Sequence, residues 1–155
     1  MRKAIIPGLA FTLSACVSGG GEPPPLPSLA EDQGQPVLAL FEHVLTGYFA
    51  GAGANAPTTC ASLGPGPLTK EQEAALIARF VRLAPAGRCV EAATGTIDAI
   101  TGDPAQHVQV YEFACPTASL CSGWVAVPGK PASRYAMRFE GGQWRFDGDL
   151  RIIAE

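Results

Sequence analysis

The sequence predicts one α+β domain, in which two N-terminal helices pack on an antiparallel sheet of four to five strands linked by disulfides. Apolar residues recur at helical spacing in two segments before residue 85. Short alternating segments separated by turn residues follow after residue 89, and four cysteines lie between residues 60 and 121. Because helices precede strands, the class is α+β. Residues 36–155 suffice for one modest core and not for two.

The first helix is predicted over residues 36–50. Its apolar residues follow the spacing i, i+3, i+4, i+7, i+8 and i+11 and form one stripe, which consists of Val37, Leu40, Phe41, Val44, Leu45 and Tyr48. Pro36 suits the first helical turn and Gly51 suits the end. We therefore expect one side of this helix to pack on the sheet.

The second helix has a clear N-terminal signal. Thr69 is its predicted N-cap, and Gln72 three residues later completes a capping box. Pro85 is expected to end the helix, and its buried face is predicted to comprise Leu76, Ile77, Phe80 and Val81. The residues between the two helices, including Cys60, are rich in Gly, Ala, Pro and Thr and are predicted to form a loop.

Three strands are predicted at residues 94–101, 107–114 and 123–127, each bounded by Gly, Pro or Asp. The second of them alternates most clearly. It places Val108, Val110 and Glu112 on one face and Gln109, Tyr111 and Phe113 on the other.

Residues 134–147 predict a hairpin with a two-residue turn at Gly141 and Gly142. This register puts Phe139 opposite Trp144 and Met137 opposite Phe146 on the core face. On the solvent face, Arg138 and Arg145 lie opposite each other, and each is diagonal to a carboxylate, that of Asp147 and Glu140 respectively.

The N-terminus is typical of an exported protein. Arg2 and Lys3 precede an apolar segment, residues 4–12, that is too short to span a bilayer. The following Leu13-Ser14-Ala15-Cys16 resembles the lipobox of bacterial lipoproteins. This resemblance implies that residues 1–15 are a cleaved signal peptide and that the Cys16 thiol is lipidated. The alternative is an ordinary signal peptide with a coincidental cysteine.

Residues 16–35 are predicted to be a linker between the lipid and the domain. The glycines at 19–21 favour flexibility, and the proline-rich residues 23–27 favour an extended chain. In Gram-negative lipoproteins, an aspartate directly after the modified cysteine favours the inner membrane, whereas this chain has Val17. By this resemblance we expect the periplasmic leaflet of the outer membrane, if the source is Gram-negative.

The charge of the predicted mature chain argues against a nucleic-acid partner. Removing Arg2 and Lys3 from eleven basic residues leaves nine against fourteen acidic ones, a formal charge of −5. Phosphate backbones and anionic lipids are bound by clustered Lys and Arg, and the sequence has no such cluster. After the signal, no apolar run reaches the roughly 18 residues of a membrane-spanning helix. The lipid on Cys16 is thus the expected attachment to the membrane.

The cysteines other than Cys16 are even in number, which in an oxidising compartment predicts two disulfides among Cys60, Cys89, Cys115 and Cys121. Of the three possible pairings we favour Cys115–Cys121, because residues 116–120 form a short loop between strands, and Cys60–Cys89 follows. Zinc binding is the alternative. Neither His43 nor His107 lies within two to five residues of a cysteine, so no metal or cofactor is expected.

The order of elements, the domain length and the hairpin at 139–147 together resemble the cone-shaped domains of the nuclear-transport-factor-2-like superfamily. The resemblance implies that the sheet is curved and cone-like. It covers the order of elements over residues 36–153 and the sequence itself only over 139–147. Cystatin-like domains, which have one helix fewer, are similar as well. The superfamily contains isomerases, dehydratases and cyclases beside binding and assembly modules, so the fold leaves the function open.

Active members of that superfamily use His and Asp side chains inside the cone, which makes His43, Asp98, Asp147 and Asp149 the candidates here. His43 lies at the edge of the apolar stripe, where partial exposure without a role is the commoner outcome. Asp98 points either to solvent or inward, and Asp147 and Asp149 suit a turn or bulge. A nucleophile elbow, a phosphate loop and paired metal ligands are missing from the sequence.

We therefore predict a non-enzymatic lipoprotein of the cell envelope that binds either an envelope protein or a small apolar ligand. One alternative is a small lyase or isomerase with His43 or Asp98 as its acid or base. Another is a structural or inhibitory module that uses the sheet face or an exposed edge strand. An enclosed pocket that holds one of these groups would favour catalysis, a dry cavity would favour ligand carriage, and a filled core with an exposed apolar patch would favour a protein partner.

Overall fold

The computed structural model describes residues 25–53 and 56–150, and for residues 148–150 the backbone alone. The chain has two α-helices, α1 (Pro36–Gly51) and α2 (Lys70–Arg79). A single-turn 3₁₀ helix, η1 (Leu29–Glu31), precedes α1, and another, η2 (Ala86–Arg88), follows α2. The predicted signal peptide and Cys16 lie outside the described residues, as does the side chain of Asp149.

The described residues form eight strands in two sheets. The strands are β1 (Thr58–Leu63), β2 (Leu83–Ala84), β3 (Cys89–Ala92), β4 (Gly95–Asp98), β5 (Ala105–Thr117), β6 (Leu120–Ala126), β7 (Ser133–Glu140) and β8 (Gln143–Leu150). Six of them form a sheet in the order β2-β1-β5-β6-β7-β8, and β3 and β4 form a separate hairpin. The large sheet curls strongly, like half of a barrel.

The α+β class is confirmed, whereas the purely antiparallel sheet of four to five strands is wrong. The sheet has six strands and is mixed, because β1 runs parallel to both β2 and β5. The segment around Cys60, which the sequence predicts to be a loop, is strand β1. The composition of this segment does not indicate a strand, because the strand is only six residues long and is buried by neighbouring strands on both sides.

Helix α1 fills the concave side of the sheet. It begins at Pro36, as predicted, and ends one residue beyond the prediction, at Gly51. The largest side chains with almost no exposure are Phe41, Leu40, Leu45, Leu76, Met137, Val108, Val110 and Val125. They come from both helices and from three central strands, so the space between α1 and the sheet is occupied by side chains.

Helix α2 has the predicted capping box. The Gln72 N–H donates to Thr69 Oγ1 at 3.2 Å, and the Thr69 N–H donates to Gln72 Oε1 at 3.0 Å. The helix ends at Arg79, six residues before Pro85, because the chain turns into β2 and pairs with β1. Tertiary pairing with an adjacent strand therefore decides where this helix stops.

Strand β5 changes its alternation at Glu112, which has a positive φ of 49°. The pairing with β6 shifts register between Tyr111 and Ala114, and Phe113 packs against the core instead of facing solvent. Its ring lies over Gly123, where an added Cβ would be 2.8 Å from the ring. The predicted alternation is thus confirmed for Val108 and Val110 and fails beyond this bulge.

The β7–β8 hairpin has the predicted register. Phe139 is opposite Trp144, and Met137 is opposite Phe146. Trp144 is 2% exposed. On the outer face Arg138 forms ion pairs with both Asp147, at 3.0 Å, and Glu140, at 3.7 Å. Glu140 therefore lies beside Arg138 on its own strand, whereas the prediction pairs it with Arg145.

Both predicted disulfides are present. One joins Cys60 on β1 to Cys89 at the start of β3, and the other joins Cys115 to Cys121 across the β5–β6 hairpin. The first attaches the small β3–β4 hairpin to the large sheet. The second closes a loop at the far end of β5.

Residues 25–35, which the sequence assigns to the linker, lie against the domain. Ser28 Oγ donates to Glu42 Oε2 at 2.7 Å, the Ala30 N–H donates to the same oxygen at 3.1 Å, and Arg79 forms an ion pair with Glu42. Trp144 Nε1–H donates to the Asp32 carbonyl at 3.1 Å. A buried carboxylate of α1 thus holds the segment through which the chain enters the domain.

Candidate functional site

An open groove of about 470 Å³ lies between α1, η1 and β8. Its lining is mostly apolar and consists of Ala30, Ala39, Glu42, His43, Thr46, Gly47 and Phe146. Ala39, His43 and Gly47 are four residues apart and therefore share one face of the helix. At Gly47 an added Cβ would meet no atom within 4 Å, so the groove is open beside this residue.

His43 forms one wall of this groove. Its ring stacks on Phe146, with centroids 4.1 Å apart and planes inclined by 12°, and meets Tyr135 edge-on at 5.8 Å. The residue is exposed, in agreement with its predicted position at the edge of the apolar stripe. The stack fixes the ring on the aromatic side chains of β7 and β8.

Asp98 lies elsewhere and is fully buried, at 0% exposure. Arg88 donates to both of its carboxylate oxygens, the Ile100 N–H donates to Oδ1 at 2.9 Å, and Thr58 Oγ1 donates to Oδ2 at 2.7 Å. These hydrogen bonds, above all those from Arg88, hold the pKa of Asp98 well below its usual range. The hydrogen bonds from Arg88 to Asp98 also raise the pKa of Arg88.

The role of Asp98 that these contacts indicate is structural. It joins β4 to β1 through Thr58 and to η2 through Arg88, next to the Cys60–Cys89 disulfide. A carboxylate that stays ionised in this way is a poor general acid, and its acceptor oxygens are already occupied. His43 packs on Tyr135 and Phe146, whereas Asp98 is held by Arg88 and Thr58. The described contacts therefore do not place the two candidates in one site.

Asp147 and His107 also lie apart from the groove. Asp147 is on the outer face and forms an ion pair with Arg138. His107 lies on β5 beside Cys60, and its Nδ1 is buried without a hydrogen-bond partner among the described residues. Within residues 25–53 and 56–147, side chains of the types that bind metals do not cluster in threes. None of the helices in this part of the chain is long and apolar enough to cross a membrane.

The sequence predicts His43 as a site candidate but not the groove around it. Glu42 is missed altogether, because a carboxylate beside the apolar stripe of a helix suggests exposure. The signal available in the sequence is the spacing of Ala39, His43 and Gly47 along one helical face. That Phe146 completes the groove depends on the packing of β8 against α1.

Comparisons with protein-family models, curated proteins and solved structures find no match to this chain. The resemblances to bacterial lipoproteins and to nuclear-transport-factor-2-like or cystatin-like domains therefore stay predictions.

Proposed function

We propose that this protein is a lipid-anchored binding module of the bacterial envelope, and that the groove beside His43 receives an apolar side chain of an envelope protein. The proposed anchor is the lipid on Cys16, and the proposed address is the periplasmic leaflet of the outer membrane in a Gram-negative source. The observation that carries the proposal is an open, mostly apolar groove above a filled core.

The filled core favours a protein partner over a small apolar ligand. Carriers of small ligands enclose most of the ligand surface in a cavity. Here the concave side of the sheet is occupied by Phe41, Leu45 and Met137, each with at most 1% exposure. The groove is open to solvent on one side, which suits a side chain presented from another surface.

The contacts of the two carboxylates, Asp98 and Glu42, also favour binding over acid–base catalysis. Asp98 is ion-paired with Arg88 away from the groove. Glu42, the carboxylate at the groove, is engaged by Arg79, by Ser28 Oγ and by the Ala30 N–H. A general base needs a free acceptor position aimed at the substrate.

The position of the groove favours a partner in the envelope. Ala30, which lines it, lies in the segment that leads from the predicted lipid anchor into the domain. A nine-residue chain such as 16–24 extends at most ~30 Å. A membrane-bound protein or the periplasmic part of one is therefore within reach of the groove.

Substitutions at two glycines of α1 test the proposal. An added Cβ meets no atom within 4 Å at either Gly47, which lines the groove, or Gly51, which does not. Gly47→Leu fills the groove without disturbing the core, and Gly51→Leu is the matched control. A photo-reactive amino acid at Thr46, in cells that make the full chain, reports contact with a partner.

We expect a cross-linked species from Thr46 that persists in Gly51→Leu and disappears in Gly47→Leu. Cross-linking from Ala74, an exposed residue of α2, serves as the positional control. A cross-link that Gly47→Leu leaves unchanged contradicts the groove as the binding site. If a stoichiometric lipid or other small molecule co-purifies with the wild-type protein and is lost in Gly47→Leu, the groove binds that ligand and not a protein side chain.

A further inference from the structure

The outer face of the large sheet carries an aromatic pair that is separate from the groove. Tyr111 on β5 and Trp124 on β6 are directly opposite. Their ring centroids are 6.3 Å apart, and the ring planes are inclined by 11°. Val110 and Val125, the neighbours in sequence, are buried on the core side. Alternation therefore directs both rings to the solvent side, where each is partly exposed.

A positive charge lies beside this pair. Arg134 on β7 is directly opposite Trp124 and is exposed. Its guanidinium is 3.5 Å from Ser122 Oγ. Arg138, four residues further along the same strand and on the same face, is instead neutralised by carboxylates of the hairpin. In a chain with a formal charge of −3, Arg134 makes the surface next to the rings locally attractive to an anion.

We propose that Tyr111, Trp124 and Arg134 form a binding surface for a glycan that carries carboxylate groups. The C–H face of a pyranose ring is apolar and packs on the flat face of an aromatic ring. A guanidinium binds a carboxylate through two parallel hydrogen bonds. Aromatic rings alone would suit many ligands. The exposed Arg134 on the adjacent strand selects a ligand whose anionic group lies beside the sugar ring that packs on Trp124.

A sedimentation assay with insoluble bacterial cell-wall glycan tests this proposal. The full chain, purified in detergent, is mixed with native glycan and with glycan whose carboxylates have been amidated. The variants are Trp124→Leu and Arg134→Gln. Arg145→Gln is the matched control, because Arg145 is an exposed arginine on the same face of the sheet two strands from Trp124. Circular dichroism and a thermal melt verify that each variant folds.

We expect the wild-type protein to sediment with native glycan, and the bound fraction to fall at least fivefold in Trp124→Leu and in Arg134→Gln. Amidation should weaken wild-type binding equally and leave Arg134→Gln unaffected, since both changes remove the same contact. Arg145→Gln should bind like the wild type. The proposal is overturned if wild type does not bind, if folded Trp124→Leu binds normally, or if Arg145→Gln is as weak as Arg134→Gln. Gly47→Leu should bind the glycan normally, which separates this surface from the groove.

Discussion

Trp144 has the side chain whose removal should affect stability most clearly, because it has two distinct partners. Its ring meets Phe139 edge-on, with centroids 5.4 Å apart, and its N–H donates to the Asp32 carbonyl at 3.1 Å. The residue is 2% exposed, so neither partner is replaced by water in the folded protein. Trp144 thereby connects the β7–β8 hairpin both to the core and to the segment that enters the domain.

The two contributions predict different costs for two substitutions. Trp144→Ala empties a buried aromatic site and should lower the free energy of unfolding by about 3–5 kcal/mol. Trp144→Phe keeps most of the ring but removes the N–H that donates to the Asp32 carbonyl. That carbonyl also accepts from the Gln35 N–H at 3.3 Å, so the lost hydrogen bond should cost only about 0.5–1.5 kcal/mol. With a total of roughly 5–15 kcal/mol for a domain, the alanine variant should be severely weakened.

Urea denaturation of the disulfide-intact protein measures both values. For a slope of about 2 kcal/mol per molar urea, Trp144→Ala should lower the midpoint by about 2 M. Trp124→Ala is the control, because Trp124 lies on the outer face and its stacked pair with Tyr111 is worth about 0.5–1.5 kcal/mol. The reasoning is refuted if Trp144→Ala costs less than about 1 kcal/mol, or if Trp124→Ala costs as much as Trp144→Ala.

Three further predictions concern Asp98, the disulfides and Cys16. Because the pKa of Asp98 is lowered in the folded state, the ionised carboxylate stabilises the protein above the unfolded pKa of about 3.9, and this stabilisation is lost as the pH falls below that value. Urea melts from pH 6 to pH 2 should show the loss, and Asp98→Asn should make the melts depend less on pH. Replacing Cys60 and Cys89 together by serine opens a loop with a sequence separation of 29 and should cost ~3.6 kcal/mol, against ~2.4 kcal/mol for the hairpin disulfide, in melts of the two double variants; equal costs would contradict the loop-length argument. Cys16→Ser should abolish the incorporation of labelled fatty acid and release a folded protein from the membrane fraction, and retention after a salt wash would disprove the lipid anchor.

The structure also explains why residues 28–30 of the entry segment lie against α1. Glu42 is a carboxylate on the buried side of α1, and such a group needs charge-assisted partners. Arg79 supplies one from α2, while Ser28 and Ala30 supply hydrogen bonds from the entry segment. The groove beside His43 is consequently bordered by Ala30, which the sequence assigns to the linker.

The sequence by itself determined the elements whose signals are local. The stripe of α1, the capping box at Thr69 and the register of the β7–β8 hairpin all follow from spacings within a few residues. The two disulfides also followed, because a short loop between strands brings Cys115 and Cys121 together and leaves one other pair. Cys60 and Cys89 are 29 residues apart and are paired by elimination. In the other features the interacting residues are close in the chain, so the pattern itself contains the geometry.

The tertiary structure alone decided the mixed sheet, the end of α2 and the composition of the groove. Strand β1 pairs with β2 and β5, which are distant in sequence, and its own residues give little indication of a strand. Asp98 is buried because Arg88 and Thr58 surround it, and alternation alone leaves its direction open. Phe146 meets His43 only after β8 has packed beside α1. Contacts between residues far apart in the chain depend on how the elements assemble, which local spacing does not encode.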